Sequence, residues 1–206
     1  DTEYNFDDIE KLFGSDITKI VEGLTKISKL SKENNVSLQA ENFRKLLITL
    51  NDDIRVIIIK IADRLHNMQT LDAMPDDKQI KISSETLYIY APLSHRIGLY
   101  NIKTELEDLS FKYTEGASYE SIKNKIEESK EEQDLYIKSF SEITQFALAE
   151  EGLEYQIKGR SKSIFSINRK MKVQNIPFEN VFDKFAIRIV YKATHRNEKF
   201  LAWKIY

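Results

Sequence analysis

Cysteine is absent from the 206 residues, so no disulfide can form and no thiolate is available as nucleophile or metal ligand. A bound metal must therefore use His, Asp or Glu, and only three His are present. Proline (three) and glycine (six) are scarce, which favours long helices. No apolar run reaches the roughly 20 residues needed to cross a bilayer, and no secretory leader pattern opens the sequence. What is left is a composition 41% hydrophobic and 31% charged, long enough for one large domain or two smaller ones. A reducing, cytoplasmic setting without membrane contact is expected.

The small net charge of −2 hides an asymmetry. Residues 151–206 hold 12 Lys and Arg against 5 Asp and Glu, whereas residues 1–150 hold 19 against 28. A basic end on an acidic protein suggests an anionic ligand there, although solvated lysines alone give the same count.

Apolar residues recur at helical spacing over residues 7–30, with Asp7 as a possible cap and Gly14 dividing the run into two helices. Residues 31–37 read as a loop, 38–50 as an amphipathic helix, and 51–53 as the cap of the next helix. Residues 74–79 read as a turn and 79–113 as one or two helices, with Pro92 marking a break or kink. Residues 118–153 suit a long amphipathic helix, or two, acting as a connector. The period then changes: 154–160 alternates like a strand, 163–175 is helical, and 185–193 is a strand. The expected fold is mainly α, with an α+β domain beginning near residue 151.

The stretch IIIKIADRLHNMQTL (57–71) puts Asp63, Asn67 and Thr70 on one helical stripe, spaced i, i+4, i+7. Ile58, Ile61, Leu65 and Met68 are expected to bury the other side. Such a stripe could hold a metal and a phosphate or sugar, or it could simply be a wet helix face. In the basic half, Lys158, Arg160, Lys162, Arg169, Lys170 and Lys172 gather at a strand–helix junction. That junction suits a polyphosphate, an RNA or DNA phosphate, or solvent. No aromatic residues interleave them, so single-strand nucleic-acid recognition lacks support.

The literal strings narrow these alternatives. IKIADRLHNMQTL resembles the second metal-site segment of the helical HD-type hydrolase domain in the RelA/SpoT family of guanosine tetra- and pentaphosphate enzymes. YIYAPLSHRIGLYNIKTELEDLSFKY (88–113) resembles the stretch leading out of that domain. GRSKSIFSINRKM (159–171) and VFDKFAIRIV (181–190) resemble the opening of the family's α+β, nucleotidyltransferase-like synthetase domain. The resemblance implies a hydrolase domain over residues 1–115, a helical connector over 116–150 and the beginning of the synthetase domain over 151–206.

It also implies roles. In the hydrolase half Asp63 would bind Mn²⁺, Asn67 and Thr70 would contact the nucleotide, and His66 would be structural. Asp1 would be the last residue of the family's H-D-x-x-E-D motif and assist catalysis. In the synthetase half Arg160, Lys162, Ser166 and Lys170 would bind ATP, and Asp183 would bind Mg²⁺. Ser161 stands where many members have Pro, and Lys184 where an apolar residue is usual. The implied activities are metal-dependent hydrolysis of the 3′-pyrophosphate of (p)ppGpp, and pyrophosphate transfer from ATP to the 3′-hydroxyl of GDP or GTP. A single-activity or non-catalytic nucleotide-sensing homologue is the alternative. The first metal-binding His, the His-Asp pair and the motif's Glu are not in this sequence, nor are the N-G-Y and E-I-Q-I-R segments of the synthetase. The 206 residues alone are therefore expected to be inactive. Ribosome contact is an expectation for a full-length protein, and direct nucleic-acid binding by these residues is not expected.

Overall fold

The computed structural model describes residues 4–30, 53–149 and 154–205, so the loop expected over 31–37 and the helix over 38–50 lie outside the described residues. The chain divides into two units, residues 1–114 and 115–206.

In the first unit, α1 (Phe6–Phe13) is capped by Asn5 rather than by Asp7. The Asp8 N–H donates to the Asn5 side chain at 3.0 Å, and the Asn5 N–H donates to the Asp8 carboxylate at 3.1 Å. This reciprocal pair needs residues three apart, so Asp7 falls inside the first turn, where its charge still suits the helix dipole. Gly14, at φ +82°, then divides the run, and α2 (Ser15–Leu30) follows.

Asp53 caps α3 (Ile54–Gln69), as the sequence suggests, accepting from the Arg55 N–H at 2.9 Å. Helix α3 buries Val56, Ile57, Ile61 and Met68, with Leu65 half-buried. Ile58, expected in that set, is 44% exposed instead. Helix α2 approaches on the Val56 side, where Gly23 leaves room for close contact, and this turns the buried arc toward 56 and 57.

After a short 3₁₀ turn (Leu71–Ala73), α4 (Asp76–Glu85) starts directly behind Pro75, so the turn expected over 74–79 ends sooner. A π-helical turn (Thr86–Tyr90) leads into α5 (Ala91–Arg96). The helical path therefore does not break at Pro92. The wider turn, in which the Ala91 N–H bonds back to Thr86, absorbs the missing donor and the crowding that a proline brings. The break comes at Gly98, φ +81°, before α6 (Tyr100–Thr114). Ile89, Tyr90, Leu93 and Leu106 close the core over α3, and Ile20 and Leu24 of α2 pack on it.

In the second unit, α7 (Gly116–Glu128) and α8 (Lys130–Ala149) meet at Ser129. Strand β1 (Tyr155–Ser161) pairs antiparallel with β2 (Phe185–Tyr191), in register from Tyr155 opposite Tyr191 to Ser161 opposite Phe185. Helix α9 (Ile164–Gln174) lies between them in sequence. It is capped by Ser163 and ended by Asn175 in the left-handed region at φ 51°. Along β2, half-buried Phe185, Ile187, Ile189 and Tyr191 alternate with exposed Ala186, Arg188 and Val190. Helix α9 packs on α7, and Ile122, Ile167, Phe178 and Val181 are buried. Helix α10 (Glu198–Ile205) completes the described residues. Among them, no helix is long and apolar enough to cross a membrane.

Candidate functional site

On α3 the stripe forms as its spacing requires. Asp63 is 52% exposed in its side chain, lies 3.3 Å from the Lys60 ammonium and accepts from the Asn67 amide at 3.5 Å. Thr70 sits at the helix end, where its hydroxyl donates back to the His66 carbonyl at 3.0 Å. The His66 side chain is exposed. Asp63 and Asn67 are thus brought together, with Thr70 one turn on. Asp1 lies outside the described residues. Among those described, no three His, Asp or Glu side chains converge on one point. Asp63 is a suitable oxygen donor for a divalent ion, but one carboxylate does not make a metal site.

Behind this open stripe sits Arg64, whose side chain is only 12% exposed. Its guanidinium lies 4.2 Å over the Tyr90 ring and donates to Glu85 at 2.9 Å. Sequence reasoning gave Arg64 no distinct place, because both partners come from a segment more than 20 residues away.

In the second unit a cavity of about 790 Å³ opens between α9 and β2, lined among others by Lys162, Ser166, Lys170 and Asp183. These are four of the five residues that the sequence picks for nucleotide and Mg²⁺. The fifth, Arg160, is on β1 opposite Ala186. Lys162 follows β1 and is fixed by its backbone N–H donating to the Lys184 carbonyl at 2.8 Å. Ser163 had no predicted role. It caps α9 through the Ser166 N–H, and its hydroxyl donates to that of Ser166 at 2.8 Å. Arg169 and Arg188 also line the cavity. The strand pattern could have located Arg188, since it stands on the exposed face of β2. Lys172 takes a different course and pairs with Glu115 at 2.6 Å.

Asp183 is the most strongly perturbed acid among the described residues. Hydrogen bonds from Lys162 and Lys170, one to each carboxylate oxygen, bring its pKa from the ordinary 3.8 down to about 2. It is a carboxylate at neutral pH. Both of its oxygens face ammonium groups, and no cluster of acids joins it among the described residues. The cavity has what a polyphosphate requires, namely several cations, a hydroxyl and a capped helix start.

Residues 1–100 match the HD domain family, which implies a divalent metal. Over 193 residues the chain is 45% identical to a GTP pyrophosphokinase of Myxococcus xanthus, covering 92% of this chain and 26% of that protein. It is 42% identical over 194 residues to a probable guanosine-3′,5′-bis(diphosphate) 3′-pyrophosphohydrolase of Synechocystis, covering 94% and 26%. To the bifunctional (p)ppGpp synthase/hydrolase SpoT of Escherichia coli it is 40% identical over 191 residues, covering 92% and 27%. The chain spans about a quarter of the length of these curated relatives. An HD domain in the first half, and similarity that continues through the basic second half, make this chain a homologue of the RelA/SpoT-type (p)ppGpp synthetases and hydrolases.

Proposed function

We propose that the full-length protein makes and breaks (p)ppGpp in the cytoplasm. The helical half would hydrolyse the 3′-pyrophosphate to leave GDP or GTP. The basic half would transfer pyrophosphate from ATP to the 3′-hydroxyl of GDP or GTP, releasing AMP. One observation carries the reading: a single cavity gathers Lys162, Ser166, Lys170 and Asp183, four of the five residues that the resemblance assigns to ATP and Mg²⁺.

In this proposal Lys162 and Lys170, with Arg160, bind the phosphates, and the Ser166 hydroxyl donates to a phosphate oxygen. Asp183 is one ligand of Mg²⁺, whose charge would offset that of the transferring group. In the helical half Asp63 is one ligand of Mn²⁺, Asn67 and Thr70 orient the guanine nucleotide, and Asp1 assists proton transfer. Residues 1–115 are the hydrolase domain, 116–150 a connector and 151–206 the start of the synthetase. Any ribosome contact would belong to other parts of the full-length protein.

The test is two assays on the full-length protein. Mn²⁺ with ppGpp should release pyrophosphate, and Mg²⁺ with ATP and GDP should release AMP. Asp63→Ala should abolish only the first and Lys170→Gln only the second. Absence of both reactions in the unsubstituted protein would overturn the proposal.

A further inference from the structure

The two faces of the β1–β2 sheet have different surroundings. Tyr155, Ile157 and Gly159 share one face of β1 with Phe185 of β2, and α8 lies behind that face. The Tyr155 hydroxyl donates to the Gln145 carbonyl at 3.2 Å, and the Tyr136 ring lies 5.3 Å from that of Phe185. Between these two contacts Ile137 abuts Gly159, where an added Cβ would lie 2.8 Å from Cγ2 and 3.1 Å from Cδ1 of Ile137. Ala186 and Arg188, on the opposite face of β2, line the proposed phosphate cavity, and residue 160 pairs with Ala186.

Glycine in a strand interior is unfavourable, so its place in β1 needs a reason. The backbone supplies none: among the described glycines only Gly14 and Gly98 have positive φ. The reason is space for Ile137, which is half-buried and, being β-branched in a helix, is held to one favoured rotamer. We infer that Gly159 and Ile137 are positioning residues for the proposed ATP site: Ile137 of α8 seats in the space that Gly159 leaves and supports the end of β1 from behind. Arg160 and Lys162 follow one and three residues on, so the depth of that seat sets where they meet the phosphates. Charge-assisted hydrogen bonds weaken with small changes of distance and angle, so a displaced strand end costs affinity. Neither Gly159 nor Ile137 lines the cavity, and both act through the strand. The inference rests on the proposed ATP site and adds the layer behind it.

The test is AMP release by the full-length protein from GDP and varied ATP in Mg²⁺. Gly159→Ala should raise KM for ATP about fivefold, leaving KM for GDP and the hydrolysis of ppGpp unchanged. A purely structural defect would lower the amount of active enzyme, hence the maximal rate, without moving KM. Ile137→Ala removes the support and should raise KM for ATP about twofold to threefold. With Ile137→Ala in place, the side-chain atoms that crowd residue 159 are gone, and adding Gly159→Ala should change KM no further. An unchanged KM for ATP in either single variant, or an equal effect of Gly159→Ala with and without Ile137→Ala, would overturn the inference. If Gly159→Ala does not fold, KM of the Ile137→Ala variant decides alone. If the unsubstituted protein releases no AMP, the proposed synthesis itself falls, and this inference with it.

Discussion

Gly23 sets how closely α2 approaches the helix that carries Asp63, and replacing it pits two effects of similar size against each other. Alanine in a helix interior is favoured over glycine by about 1 kcal/mol. Yet a Cβ on Gly23 would lie 2.8 Å from Cγ2 and 3.2 Å from Cγ1 of Val56, well inside the roughly 3.5–4.0 Å of carbon contacts. Val56 is 1% exposed and, being β-branched in a helix, has no easy alternative rotamer. Overpacking of this kind costs about 1–3 kcal/mol. The net expectation for Gly23→Ala is a loss of about 0–2 kcal/mol, the overlap outweighing the gain in helix propensity. In a Val56→Ala background the overlap disappears and the same substitution should stabilise by about 1 kcal/mol. Because the chain has two units, global unfolding mixes their responses, so amide hydrogen exchange at Ile57 and Ile61 is the better readout. Protection should fall on Gly23→Ala in the native background and rise in the Val56→Ala background. Equal changes in both would refute the contact as the cause.

Three further outcomes follow from described contacts. Arg64→Lys keeps the charge but loses the planar guanidinium over Tyr90, and should cost about 1 kcal/mol, visible as a drop of several degrees in Tm. Asn5→Ala removes the capping box and should cost the first helix about 1 kcal/mol, read as lost exchange protection at the Asp8 amide with α6 unaffected. Asp183 has a folded-state pKa below its ordinary value, so its contribution to stability is complete above about pH 4 and disappears as pH falls through about 2. Acid titration followed by carboxyl NMR should show that midpoint, and Asp183→Asn should flatten the stability change in this window.

Local signals carried the sequence reading far. The division at Gly14, the Asp53 cap, the two strands and the helix between them all follow from period and breaker residues within a few positions. The polar stripe of Asp63, Asn67 and Thr70 was readable for the same reason. What failed depended on neighbours distant in sequence. Ile58 and Val56 have similar hydrophobicity, and only the approach of α2 at Gly23 decides which of them is buried. Asp7 and Asn5 are both good caps, and the choice rests on the reciprocal bond with Asp8. Family strings picked out Lys162, Lys170 and Asp183 separately. Their bonding to one another was invisible, since it depends on β1, α9 and the entry to β2 meeting in space.

The π turn at Thr86–Tyr90 has a further consequence, for helical phase. One additional residue in a turn advances everything downstream by about 100° around the axis. Five of the six residues from Ile89 to Ser94 are buried, an arc wider than a regular amphipathic helix provides. Deleting a single residue here would restore uniform hydrogen bonding, yet swing Leu93 out of the core and take Tyr90 from under Arg64. The segment thus behaves as an insertion fixed in place: locally the less regular winding, it keeps both ends of this helix in step with the Asp63 helix.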